Sequence, residues 1–153
     1  PGITTAARNV AAGMSDEALR TLLRSQHLGV LATLLPDGRP HLSTITYAVD
    51  ESAKTVRISL TDTRVKTRNL RRDPRAALHV TGPTPWSWVT AEGTGELSPV
   101  AADPHDATVE ELIAYYRAAS GEHPDWAEYR AAMVADNRLV LRLQVDRLYG
   151  QAR

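Results

Sequence analysis

Cysteine and phenylalanine are both absent from this chain of 153 residues. Without cysteine there can be no disulfides, no thiolate metal sites and no cysteine nucleophile. Net charge is absent too, because 18 basic side chains balance 18 acidic ones. Such a chain does not coat nucleic acid or an anionic membrane through its bulk field. Long apolar runs are missing as well. The clearest, residues 28–35, has strand length and falls far short of the roughly 20 residues of a spanning helix. The first residues hold Arg8 but no apolar stretch suited to a signal peptide. These absences point to a cytoplasmic protein with neither a membrane nor a nucleic-acid partner. Lysine is scarce: 16 of the basic residues are arginine, leaving only Lys54 and Lys66.

Residues 1–13 show no periodicity and read as a disordered tail or an appended remnant, with Met14 fitting a natural start. Residues 14–153 read as one domain, of a size that buries a real core. A first helix is expected after Ser15 as N-cap, with Asp16 and Glu17 in its first turn and Leu19, Leu22 and Leu23 on one face. Strands are expected over 29–35, 41–49, 55–60, 76–81, 86–97 and 139–145. The turn chemistry of Pro36-Asp37-Gly38 joins the first two as a hairpin. Residues 64–72 break the strand rhythm and read as a short helix, stopped by Asp73-Pro74. Gly93 and Gly95 mark a bulge or close backbone approach. Thr108 and Glu111 fit a capping box, and Pro124 fits the start of a further helix carrying Trp126, Tyr129 and Met133 on one face. The expected fold class is α+β, mainly β: a six-stranded antiparallel barrel with peripheral helices. A doubly wound sheet is disfavoured, because alternating βα units and a glycine fingerprint are lacking.

The strongest chemical feature is the segment 64–75. Arg64, Lys66, Arg68, Arg71, Arg72 and Arg75 stand there against the single acid Asp73. On a helix, Arg64/Arg68 and Arg68/Arg72 are like-charge pairs one turn apart, each costing on the order of 0.2–0.5 kcal/mol. Either acids from neighbouring segments compensate, or an anionic ligand does, since arginine forks and helix N-termini both bind phosphate. The histidines His27, His41, His79, His105 and His123 show no metal-ligand spacing, so a metal site is not expected. His41 and His79 read as surface or edge residues. No nucleophile elbow is present. Glu92 and Glu96 share a strand face and read as cross-strand partners for arginines. Trp86 and Trp88 alternate by two, which puts both rings on one side of a strand, either in the core or as a flat surface for a planar ligand or a partner subunit.

Several segments together resemble one family. They are GVLATLLPDGRPHLSTITY (29–47), RVKTRNLRRDPRAALHV (64–80), WSWVTAEGTGEL (86–97), TVEELIAYYR (108–117), GEHPDWAEYRAAMV (121–134) and VDRLYG (145–150). The chain resembles the pyridoxamine 5′-phosphate oxidase-like split β-barrels, in particular the actinobacterial branch that uses the deazaflavin coenzyme F420. The resemblance implies an F420-dependent oxidoreductase that passes a hydride from the reduced coenzyme to a conjugated, electron-poor small molecule. FMN is the alternative cofactor, and a non-catalytic cofactor-binding protein the alternative role. It also implies a homodimer with cofactor sites at the interface. On the family pattern, Arg64, Lys66 and Thr67 are the phosphate ligands. Ser59, Leu60 and Thr61, with the facing Ser43 and Thr44, line the ring, and Trp86 and Trp88 arrive from the other subunit. The resemblance implies no catalytic side chain and no metal, because the hydride chemistry belongs to the cofactor. The adjacent Arg-Lys pair of the pyridoxamine phosphate oxidases is interrupted here by Val65.

Overall fold

The computed structural model describes residues 16–152. The expected cap Ser15 and the 1–13 tail lie outside the described residues. Helix α1 covers residues 16–25. There follow β1 (Leu28–Leu34), β2 (Pro40–Thr46), β3 (Ala48–Val49), β4 (Thr55–Thr61), α2 (Val65–Arg72), β5 (Arg75–Thr81), β6 (Trp88–Leu97), α3 (Ala107–Ser120), α4 (Trp126–Ala135) and β7 (Arg138–Gln151). The fold is α+β, built on one antiparallel sheet of seven strands in the order β2-β1-β5-β6-β7-β4-β3.

That count corrects the expected six strands, and the reason lies at Tyr47. The segment 41–49 does not run as one strand. Its first part pairs with β1, from Leu28↔Thr46 to Leu34↔Pro40, and its last two residues pair with β4 as Ala48↔Arg57 and Val49↔Val56. The two strands at opposite ends of the sheet order are therefore separated by a single residue of chain. The sheet must curl until its ends meet. Tyr47 and Ala48 are both buried, so the alternation of the expected strand fails where the chain crosses from one edge to the other. Tyr47 is held there by three of its atoms. Its N–H donates to the His27 carbonyl at 2.8 Å, its hydroxyl donates to the Leu23 carbonyl at 2.7 Å, and its carbonyl oxygen lies 3.3 Å from His27 Nδ1.

The curled sheet encloses the main core. Leu31, Ile58, Leu60, Leu78, Val80, Leu139, Leu141 and Leu143 point inward, and Leu19, Leu22 and Leu23 of α1 join them. A second, smaller cluster joins Val109, Leu112, Ile113, Tyr129 and Met133 of α3 and α4 to Val140 on the other face of β7. Thus β7 is apolar on both faces over 139–141, which the simple alternation of an amphipathic strand does not describe.

Several element ends move from expectation. β6 starts at Trp88, and Trp86 lies in the preceding turn, 70% exposed, so the two rings do not share a strand face. α3 is capped by Asp106, whose carboxylate accepts from the Val109 N–H, while the Thr108 hydroxyl donates to the Pro99 carbonyl. The acid outcompetes the expected Thr108 cap because it also takes the N–H groups of Ala102 and Asp103. α4 is capped by Asp125, one residue after Pro124. β7 runs on to Gln151, because its far half pairs with β6. Glu96 and Glu92 meet Arg142 and Arg147 across that pair, as expected.

The expected bulge is present, with the β6–β7 register shifting between Glu92 and Gly93. A Cβ at Gly93 would fall 1.9 Å from the Gln144 carbonyl oxygen. Gly93→Ala is therefore expected to destabilise the fold by about 1–3 kcal/mol through forced backbone displacement, read as a lowered denaturant midpoint. Tyr47→Phe is expected to cost a similar ~1–3 kcal/mol, because the buried Leu23 carbonyl loses its donor. Equal denaturant midpoints for Tyr47→Phe and wild type would show that the crossover does not depend on this bond.

Candidate functional site

The curl is incomplete, and the gap it leaves is the candidate site. β3 is only two residues long, so it covers β4 at Val56 and Arg57 and no further. Beyond that point β4 pairs with β7 on one side, from Ile58↔Leu141 to Thr61↔Arg138, and has no strand on the other among the described residues. Across the gap stands β2. A pocket of about 340 Å³ opens here, lined by His41 and Ser43 of β2, Ser59 and Thr61 of β4, Arg64, Val65 and Lys66 at the start of α2, and Arg138 at the start of β7.

Tyr115 of α3 reaches the β2 lip. Its hydroxyl donates to the Thr46 carbonyl of β2 at 2.9 Å. Burial raises the pKa of this phenol, and it stays protonated through the physiological range.

The basic segment sorts itself along α2. Toward its C-terminal end, Arg71 pairs with Asp62 at 2.6 Å, Arg72 reaches the Leu34 carbonyl and Asn69, and Arg75 pairs with Asp73 at 2.7 Å. Cations at a helix C-terminus also suit its dipole. The N-terminal end is different. Arg64 is the cap residue but makes no side-chain hydrogen bond to the first turn, and that turn holds no acid. Among the described residues, no carboxylate pairs with Arg64, Lys66 or Arg138. Lys66 Nζ lies 3.4 Å from Ser43 Oγ, and an Arg138 guanidinium nitrogen lies 3.4 Å from Ser59 Oγ. Burial lowers the Lys66 pKa, and the charges of Arg64 and Arg138 lower it further. Positive charge at the positive end of a helix, without a counter-ion, is unfavourable until an anion arrives. Hydroxyls, cations and unused backbone donors are the groups that hold a phosphate.

Of the residues singled out in the sequence, Ser43, Ser59, Thr61, Arg64 and Lys66 come together here. The others stand elsewhere within one chain. Thr67 is fully buried and its hydroxyl donates to the Thr61 carbonyl at 2.7 Å, so it ties α2 to β4. Leu60 points into the core, and Thr44 is exposed on β2. Trp88 packs against His79 and Tyr149, with ring centroids 5.6 and 5.9 Å away. Three lining residues, His41, Val65 and Arg138, escaped sequence reading. His41 read as a surface residue, and Arg138 carried no motif. The signal available for His41 was its position two residues from Ser43, on the same strand face; Arg138 is placed only by the β4–β7 register.

Comparison with known proteins agrees with this architecture. The chain is 26% identical over 145 residues to an F420H(2)-dependent biliverdin reductase of Mycobacterium tuberculosis, covering 94% of this chain and 93% of that protein. A solved structure of a conserved hypothetical protein of Mycobacterium tuberculosis matches with TM-score 0.66 and 26% identity, over 88% of this chain and 82% of the other. A solved F420 reductase matches with TM-score 0.62 and 26% identity, over 86% of this chain and 96% of the other. A family model described as pyridoxamine 5′-phosphate oxidase matches residues 15–152. With nearly all of its length matched and a split sheet bearing the phosphate-suited pocket, the chain belongs to the pyridoxamine 5′-phosphate oxidase family.

Proposed function

We propose that this protein is an F420-dependent reductase acting on a conjugated, electron-poor small molecule. The observation that carries the proposal is the pocket at the start of α2, where three cations converge without a carboxylate. The likeness to F420-dependent relatives over nearly whole chains supports deazaflavin over FMN, as does Val65 between Arg64 and Lys66. When bound, the cofactor supplies the hydride chemistry. The chain's own work is binding, orientation and exclusion of water. Arg64 and Lys66 hold the phosphate, and the backbone donors of the first turn of α2 assist them. Ser43, Ser59 and Thr61 offer hydroxyls beside it. Thr67 acts one step removed, by fixing α2 to the Thr61 carbonyl.

A homodimer belongs to the same proposal. Leu28 and Leu42 are 63% and 62% exposed on the β1–β2 end of the sheet. The strand register puts Leu42 on the same sheet face as Trp88, through Ala32, Ala77 and Glu92. A partner seated on this face would cover that apolar surface and bring its own Trp86 and Trp88 toward the cofactor. Among the described residues, no helix is long and apolar enough to cross a membrane.

Titration with F420 and FMN side by side tests the proposal, followed by oxidation of reduced F420 with a panel of electron-poor acceptors. F420 is expected to bind the more tightly. Arg64→Ala and Lys66→Ala are each expected to weaken F420 binding about 10- to 100-fold, the loss of one charge-assisted contact. Wild-type affinity in both variants would remove these residues from the site.

The Lys66 pKa lies below the ordinary lysine value of 10.5 in the free protein, and an anion favours its protonated form. Binding therefore takes up protons on the alkaline side. Affinity is expected to be full near neutrality and to fall as pH rises through the lowered Lys66 pKa. Calorimetry in buffers of different ionisation enthalpy reads the uptake, and Lys66→Met is expected to abolish this alkaline limb.

A further inference from the structure

The pocket has a third wall that the family pattern assigned no role. Two side-chain nitrogens, His41 Nδ1 and Arg138 Nε, are shut off from solvent and have no hydrogen-bond partner among the described residues. Both belong to residues lining the same pocket as Lys66. Leaving one such group unsatisfied costs about 1–3 kcal/mol, and more for a charged one. Both residues help to line one polar pocket, where an entering anion that turned these side chains would give the two nitrogens a partner. Their places in the fold are complementary. Arg138 is the first residue of β7, directly opposite Thr61, while His41 stands on β2 across the gap. Arg138 is near enough to Lys66 for its charge to act on that ammonium.

We propose that Arg138 and His41 are two further anion ligands of this pocket, closing on a phosphoryl group from β7 and β2 while Arg64 and Lys66 hold it from α2. This rests on reading the pocket as a phosphate cradle. It makes the site a ring drawn from β2, α2 and β7. Turned toward an anion, the guanidinium offers a planar fork suited to two oxygens of one phosphoryl group. The His41 ring offers a single N–H when Nδ1 carries the proton.

Inorganic phosphate is the probe, because it isolates the anion site from the ring of any cofactor. Binding is read by calorimetry and by the rise in melting temperature with phosphate concentration, for wild type, Arg138→Gln, Arg138→Lys and His41→Phe. Arg138→Gln is expected to lose about tenfold in phosphate affinity or more. Arg138→Lys should recover only part of it, since an ammonium supplies charge without the fork. His41→Phe should lose severalfold in phosphate affinity while the ligand-free melting temperature holds or rises, because an unsatisfied polar atom is removed. Should Arg138→Gln fail to fold, Arg138→Lys and His41→Phe decide. Wild-type phosphate affinity in the folded variants overturns the inference, and so does a wild-type protein that binds no phosphate at tens of millimolar. An F420 titration run in parallel keeps the two readings apart. If phosphate needs Arg138 and His41 but F420 does not bind, the deazaflavin reading fails and the anion ring stands. If F420 binding needs Arg64 and Lys66 while phosphate ignores Arg138 and His41, only the ring fails.

Discussion

The architecture depends on one crossover. A single buried residue, Tyr47, carries the chain from the strand at one end of the sheet to the strand at the other. With both ends held by one short piece of covalent chain, the sheet has no freedom to lie flat. The Tyr47 hydroxyl on the last turn of α1 and its N–H on His27 anchor that passage to the element that seals the core. Because β3 ends after two residues, the ends meet only there and diverge below it. The site is thus a geometric by-product of an unequal closure: long β2 facing long β4, joined at one end only. Tyr115 then ties the β2 lip of the opening to α3 through its hydroxyl on the Thr46 carbonyl.

Electrostatics is partitioned with the same economy. Arg71, Arg72 and Arg75 of the basic segment are tied down, while Arg64 and Lys66 at the pocket meet no carboxylate among the described residues. Arg71 and Arg75 are tied to Asp62 and Asp73, and Arg72 to the Leu34 carbonyl. On the outer face of β4 and β7, Glu111 binds Arg57 and Arg142 at once, and these contacts hold its carboxyl below the usual range. Acids were therefore available in the fold and stand elsewhere than the pocket. Burial first, and the charges of Arg64 and Arg138 after it, hold the Lys66 pKa below the usual lysine value.

Much of this was legible in the chain. Turn chemistry at Pro36-Asp37-Gly38 and the apolar alternation of Leu139, Leu141 and Leu143 mark real elements. Gly93 marks a real bulge, because backbone approach leaves no room for a side chain. The basic run marks one wall of the pocket. What escaped was non-local. A strand that changes partners at Tyr47 keeps its β-rich composition, so nothing in the segment signals the change. Trp86 and Trp88 keep their spacing of two whether or not a strand runs between them. Thr67 reads as an oxygen-bearing neighbour of Lys66, yet helical geometry turns it inward. His41 and Arg138 lie 97 positions apart and meet only because of how the sheet is threaded.

The crossover at Tyr47 also bears on solubility. An open sheet of seven strands would present two terminal strands with unpaired backbone groups, a template for edge-to-edge association between molecules. Here those two strands are the same piece of chain. Unpaired strand backbone remains at the split and along residues 145–151 of β7, which pair with β6 alone. The split is therefore one of the places where this sheet could recruit a foreign strand. Any occupant of the split would cover exposed strand edge as well as fill the pocket.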